Sequence, residues 1–258
     1  VRQPYLQSVT SDSVTIVWRT DSPAGPNNNS RVQYGTSSSS LNQTAIGVSA
    51  VPPSNSAVKD HFVTITGLSP ATRYFYNVGT TSGVEGGGTT QDFFITAPVV
   101  GSDVPFRVWA LGDSGKNSSN QRAVRDSMLK VTSADPPDLI LHFADMAYES
   151  GTDSDFTIKH FANYQNILRN TPLWPSFGNH EAVSSSATLG TGPYFEAHVL
   201  PTQGEAGGQP SGTEAYYSFD YGNAHFIVLD SQDNAVLQNS SMLDWLQADL
   251  AATTQEWV

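Results

Sequence analysis

Phe106-Arg107-Val108-Trp109-Ala110-Leu111-Gly112-Asp113-Ser114-Gly115 and Asp138-Leu139-Ile140-Leu141-His142-Phe143-Ala144-Asp145 are two short, largely apolar runs that each lead into an aspartate. Neither alternates as a strand with one wet face would, so both read as strands buried on two faces of a parallel sheet. Between them Val124, Met128 and Val131 stand at i, i+4 and i+7, a helical stripe, with Ser118 and Ser119 available to cap its start. The unit is β-α-β. Parallel neighbours joined by a crossover bring their carboxyl ends to one edge of the sheet, where open α/β sheets place their ligands. Asp113 and Asp145 are therefore expected to meet.

Downstream, Phe161, Tyr164 and Leu168 mark a second helix, and Pro172-Leu173-Trp174-Pro175-Ser176-Phe177 is a short strand between prolines that leads into Gly178-Asn179-His180-Glu181. A third polar strand end thus joins the first two. Tyr217, Phe219 and Tyr221 alternate, Gly222-Asn223 turns, and His225 to Leu229 returns as the second strand of a hairpin ending in Asp230. Leu243, Leu246 and Leu250 mark one face of a further helix, and Trp257-Val258 reads as the start of another strand. Gly- and Ser-rich loops at 183–192 and 203–212 flank the expected site, where binding loops on a rigid sheet tend to lie.

Upstream the texture differs. Val14–Trp18, Arg31–Tyr34, Phe62–Ile65, Tyr74–Val78 and Phe93–Ile95 are β-branched or aromatic runs, separated by Gly, Ser, Asn and Pro at 22–30, 36–40 and 80–90. This punctuation is that of a β-sandwich, and Trp18 is its buried-tryptophan candidate. Leu68-Ser69-Pro70-Ala71-Thr72-Arg73-Tyr74 resembles the fibronectin type III corner, in which the leucine packs and the tyrosine hydroxyl bonds back to the chain. The expected organisation is an all-β, fibronectin-like sandwich over 1–98, a linker over 99–105 and an α/β domain over 106–258.

Composition narrows the possible partners. Among 258 residues, 12 Lys and Arg face 24 Asp and Glu, a net charge of −12, which repels phosphate backbones and anionic headgroups. Nucleic acid and membrane insertion are not expected, and the longest apolar runs are far too short to span a bilayer. With no cysteine, disulfides, thiolate metal sites and cysteine nucleophiles are excluded. The Val1 start, without an apolar leader, fits a processed or trimmed chain, and a secreted or extracellular location is expected. The sequons at Asn28, Asn42, Asn117 and Asn239 occur about as often as chance predicts and carry almost no weight.

The clusters after the three strands, Gly112-Asp113-Ser114-Gly115, Asp145-Met146-Ala147-Tyr148 and Gly178-Asn179-His180-Glu181, hold oxygen donors without a thiolate and suit hard or borderline cations. Two carboxylates at one sheet edge repel, and a pair of cations keeps both ionised. In isolation each residue has a plainer reading: Asp113 as a helix or turn cap, Tyr148 as a half-buried tyrosine, Asn179 as a turn residue and His180 as a structural histidine. The order Gly-Asp-x-Gly, Asp-x-x-Tyr and Gly-Asn-His-Glu behind a fibronectin-like domain outweighs these.

That order resembles the purple acid phosphatases of the calcineurin-like metallophosphoesterase superfamily, along essentially the whole chain. The resemblance implies an αββα metallophosphoesterase domain, incomplete at the C-terminus. It also implies a binuclear centre of Fe(3+) plus a divalent Zn, Fe or Mn, and hydrolysis of phosphate monoesters by a metal-activated water or hydroxide. It implies Asp113 and Tyr148 as ferric ligands, Asp145 as the bridge, Asn179 as a ligand of the divalent ion, and His180 as proton or hydrogen-bond donor to the leaving group. Two features depart from the pattern. Ala144 stands where the family usually has glycine, and the later histidine ligands, including a Gly-His-x-His motif, do not occur before Val258. The histidines at 61, 142, 160, 180, 198 and 225 do not supply them. The expectation is a fragment of a longer enzyme, inactive by itself; a metallophosphodiesterase or nucleotide-cleaving relative, or a noncatalytic extracellular scaffold, are the alternatives.

Overall fold

The computed structural model describes residues 1–234 and 240–258; of the sequons, Asn239 lies outside the described residues. Eight strands occupy the first part of the chain: β1 (Arg2–Gln7), β2 (Val14–Thr20), β3 (Ser30–Gly35), β4 (Gln43–Ala50), β5 (Lys59–Ile65), β6 (Arg73–Thr80), β7 (Gly83–Gly87) and β8 (Phe93–Ile95). They form one curled sheet in the order β1-β2-β5-β4-β3-β6-β7, with β8 on β6. The curl closes over Leu6, Val14, Ile16, Trp18, Val32, Val63, Tyr76 and Phe94, all at or below 2% exposure. Each such side chain contributes about 1.5–3 kcal/mol by leaving water. The corner forms as expected: Leu68 and Tyr74 are buried, and the Tyr74 hydroxyl accepts the Ser69 amide at 3.0 Å.

All five strands read from the sequence are present, and three others were not legible. β4 is largely exposed, β7 is a Gly-rich edge strand inside the stretch read as the 80–90 turn, and β1 carries buried Arg2 and Gln7 in place of an apolar pattern.

The second part contains a parallel three-stranded sheet, β11-β10-β9, made of β9 (Val108–Gly112), β10 (Leu139–Phe143) and β11 (Leu173–Pro175). Helix α1 (Ser119–Val131) joins β9 to β10, capped by the Ser118 side chain on the Gln121 amide. A helical segment joins β10 to β11: α2 (Asp153–Asp155), a π turn (Phe156–Phe161) and α3 (Ala162–Leu168). After α4 (Pro193–Ala197), the hairpin of β12 (Tyr217–Tyr221) and β13 (Ala224–Val228) leads to α5 (Ser241–Ala252). Trp174 stacks on Phe219 at 3.8 Å between centroids, which seats the hairpin on β11.

Three expectations are corrected. β9 is half-exposed and not buried on both faces, because it is the edge of this sheet among the described residues. In α1 only Met128 of the apolar stripe packs against the core: Val124 is 59% and Val131 84% exposed, and Gln121 is the buried residue, donating to the Lys159 carbonyl. In α5 the buried face is Met242, Trp245 and Asp249, one position before each expected leucine. Asp249 is drawn inward by a charge partner, His225. Trp257 makes a single parallel bridge to Ala224. Among the described residues no helix is long and apolar enough to cross a membrane.

Candidate active site

The chain turns left-handed where β9 and β10 end. Asp113, Ala144 and Asp145 have φ of +52°, +61° and +56°, and these turns swing both carboxylates over the same strand edge. Backbone bonds lace the two loops: the Asp113 amide donates to the Ala144 carbonyl (3.3 Å), Gly115 to Asp145 (3.1 Å) and Tyr148 to Gly115 (3.0 Å). Glycine at 115 is required, since a Cβ there would overlap the Met146 carbonyl. Gly178 closes the third side; a Cβ on it would lie 2.6 Å from the Ala144 Cβ and from carboxylate oxygens of Asp145 and Glu181.

Three of the four expected oxygen donors meet. The Tyr148 hydroxyl lies 2.6 Å from Asp113 Oδ1 and 3.1 Å from Asp145 Oδ2. It has one proton for two acceptors, and the shorter bond goes to Asp113. Burial, reinforced by this hydrogen bond to the Asp113 carboxylate, holds the phenol well above its ordinary value. Asp145 Oδ1 accepts the His180 amide at 3.3 Å. Asn179 is exposed, between Gly178, packed on Asp145, and His180. The donor set fits a hard cation: oxygen ligands at about 2.0–2.1 Å in octahedral geometry stand about 2.9 Å apart, close to the spacing the phenol proton now bridges.

His180 is partly exposed, its ring 4.1 Å from that of Tyr148. Its Nδ1 lies 2.6 Å from the Glu149 carbonyl oxygen. A carbonyl only accepts, so Nδ1 carries the proton and Nε2 is left for other chemistry. Lys116 pairs with Glu149 and stands 4.2 Å above the Tyr148 ring, placing a positive charge at the mouth of an acidic protein.

Glu181 is the residue whose role sequence reasoning missed. It is fully buried, and its carboxylate accepts the amides of Asp145 (2.9 Å), Met146 (2.9 Å) and Ala147 (3.2 Å). Burial raises its pKa against the pull of these amides. It holds the loop that carries Asp145 and Tyr148; its place directly after His180 was visible, but its direction was not.

The remaining histidines are elsewhere. His142 is buried with Nε2 2.7 Å from Ser114 Oγ, and His61 stacks on Trp18. His160 and His198 are buried among aromatics, and His225 is ion-paired to Asp220 and Asp249. Asp230 caps its own loop, accepting the amides of Gln232, Asp233 and Asn234. Among the described residues no three His, Cys, Asp or Glu side chains cluster as a metal site. Of the expected ligands, the Asp113, Asp145 and Tyr148 oxygens converge. Cavities of about 520 and 560 Å³, one lined by Arg73, Phe93, Met128 and Tyr221 and the other by Phe106, His225 and Trp257, lie away from the aspartates.

Residues 1–97 match the family model described as the purple acid phosphatase N-terminal domain. The chain is 29% identical to purple acid phosphatase 15 of Arabidopsis thaliana, over 93% of its own length and 51% of that protein's. It is 26% identical to a purple acid phosphatase of Glycine max, over 74% and 39%. It thus spans about half the length, or less, of the curated relatives it matches. In fold it matches the purple acid phosphatase PPD1 from yellow lupin seeds with a TM-score of 0.73 at 18% identity, over 97% of this chain and 48% of that one. It also matches PhoD with a TM-score of 0.67 at 18% identity, over 99% and 60%. The N-terminal match is to the purple acid phosphatase N-terminal domain, and along most of its length the chain is similar in sequence to plant purple acid phosphatases and shares the fold of one.

Proposed function

We propose that this chain contributes to a binuclear metal-dependent acid phosphatase acting on small phosphate monoesters outside the cell. Residues 1–98 would be its scaffold, 99–105 a linker, and 106–258 the first part of an αββα metallophosphoesterase domain. The observation that carries the reading is the convergence of Asp113, Asp145 and Tyr148 oxygens at one strand edge. Asp113 and Tyr148 would hold Fe(3+), Asp145 would be shared, and Asn179 would hold a divalent ion. When bound, such a pair supplies Lewis-acid activation of water and neutralises phosphoryl charge.

The chain's own residues do the rest. Glu181 fixes the Asp145 loop through three amides, and Lys116 and His180 would supply hydrogen-bond donors that the acidic surface otherwise denies a phosphate. With Nδ1 engaged by the Glu149 carbonyl, protonated His180 would deliver its Nε2 proton to the leaving alkoxide oxygen. His180→Ala in the intact protein should lower kcat for an alkyl phosphate such as glycerol 2-phosphate by roughly 10²–10⁴ and leave metal content unchanged. Loss of metal with the imidazole would put His180 among the ligands and overturn its role, and faster cleavage of bis(4-nitrophenyl) phosphate would favour a diesterase.

A further inference from the structure

Two arginines of the β-sandwich are buried against the second half of the chain. Arg2 on β1 and Arg19 on β2 are each 2% exposed, and both reach Asp153 in the first turn of α2. Arg2 Nη2 lies 2.6 Å from Asp153 Oδ1; Arg19 Nη1 lies 2.6 and 2.8 Å from its two oxygens. Arg19 also grips Asp60 on β5 at 2.5 and 2.7 Å. Asn55 donates to Asp153 Oδ2 at 2.8 Å. Two guanidinium groups thus meet two carboxylates, and charge closes. Buried ion pairs rarely outdo apolar packing in stability, and their best-attested use is to fix a register.

The register fixed here is that of the site loop. Asp153 is five residues beyond Tyr148, and the chain between them is folded tightly: the Gly151 amide donates to the Ala147 carbonyl at 2.8 Å. Gly151, at φ +60°, sits so close to the Gly178–Glu181 loop that a Cβ on it would lie 2.7 Å from Glu181 Cα and 2.8 Å from the His180 carbonyl oxygen. The Glu149 carbonyl holds the His180 ring, and Lys159 ties the Tyr148 carbonyl to Asp155. Other contacts between the halves, such as Tyr5 to the Ala197 carbonyl and Tyr76 to the Arg169 carbonyl, engage segments outside this loop.

We propose that Asp153 is a positioning residue through which the N-terminal sandwich, by Arg2, Arg19 and Asn55, sets the placement of Tyr148 and His180. The sandwich is then a working part of the site. The catalytic meaning of this coupling rests on the phosphatase reading above, but the coupling itself does not.

Hydrogen exchange of the intact protein tests it. In Asp153→Asn the amides of Asp145, Ala147, Gly151 and His180 should exchange roughly tenfold faster, while those of β2 and β10 keep their rates. Asn55→Ala, which removes a single hydrogen bond, should give the same pattern at about threefold; if Asp153→Asn does not fold, this milder variant decides. Unchanged exchange over 145–151 in the folded variants, or a rise shared equally by β2 and β10, would overturn the proposal, because either marks a general stability effect or none. A wild-type protein that cleaves no phosphate ester would sink the phosphatase reading and leave the exchange result standing.

Discussion

Ala144 sits at φ +61° between β10 and Asp145, a conformation that costs an L-residue with a Cβ about 1–2 kcal/mol. The strain is the means by which the chain turns sharply enough for Asp145 to face Asp113, and Asp113 and Asp145 occupy the same region with side chains that tolerate it better. Ala144→Gly should relieve it. Against the roughly 0.5–1 kcal/mol that glycine loses through unfolded-state entropy, a net gain of about 0.5–1 kcal/mol is expected, read as a higher Tm in thermal unfolding. A lower Tm would show that the alanine methyl, which faces Gly178, contributes more packing than strain.

The loops at the ends of β9, β10 and β11 form one unit because each supplies bonds the others need. Glu181 is its keystone: Glu181→Ala leaves three backbone amides unpaired, each worth about 1–3 kcal/mol, so a loss of about 3 kcal/mol or more is expected in denaturant unfolding. A loss under 1 kcal/mol would mean that the amides find other partners. The β-α-β unit and the meeting of Asp113 and Asp145 were legible because apolar runs ending in aspartate carry both signals; Tyr148 entered only through the Asp-x-x-Tyr spacing that resembles the family. Glu181 was not, since nothing in Gly-Asn-His-Glu says that its last side chain turns inward to accept amides from a loop 36 residues earlier. The same limit explains the helices. Val124 and Leu250 have the right spacing for a core face, yet Gln121 and Asp249 take it because they find a carbonyl and an imidazole there. β1 was hidden because its buried arginine serves a partner more than 150 residues away.

Buried histidines shape the stability of the fold in two opposed ways. Burial pushes His142 and His198 down to about 3 and lowers His61 and His160 as well. Below about pH 6.5, where unfolded histidine protonates, the unfolded chain takes up protons the fold refuses, so stability falls with acid. For His225, burial is outweighed by Asp220 and Asp249, and its pKa is raised. Its contribution is complete below about pH 6.5 and is lost as pH rises through the folded value. Glu214, raised by burial to about 7, also favours the fold less as pH climbs from about 4.5 to 7. Maximal stability is expected near pH 6.5. Thermal unfolding between about pH 4.5 and 8.5 checks this: His225→Gln should flatten the alkaline limb and spare the acid one, and an unaltered alkaline limb would remove His225 from that role.

The visible absorption spectrum of the iron-loaded intact protein decides most directly whether the oxygens gathered at the ends of β9 and β10 hold the metal of a purple phosphatase. Tyr148 lies within hydrogen-bond reach of both Asp113 and Asp145, and a phenolate on ferric iron gives a charge-transfer band. Tyr148→Phe should abolish that band while the β-sandwich unfolds at its wild-type temperature. An unchanged band in the variant would contradict the assignment and place the metal on other residues.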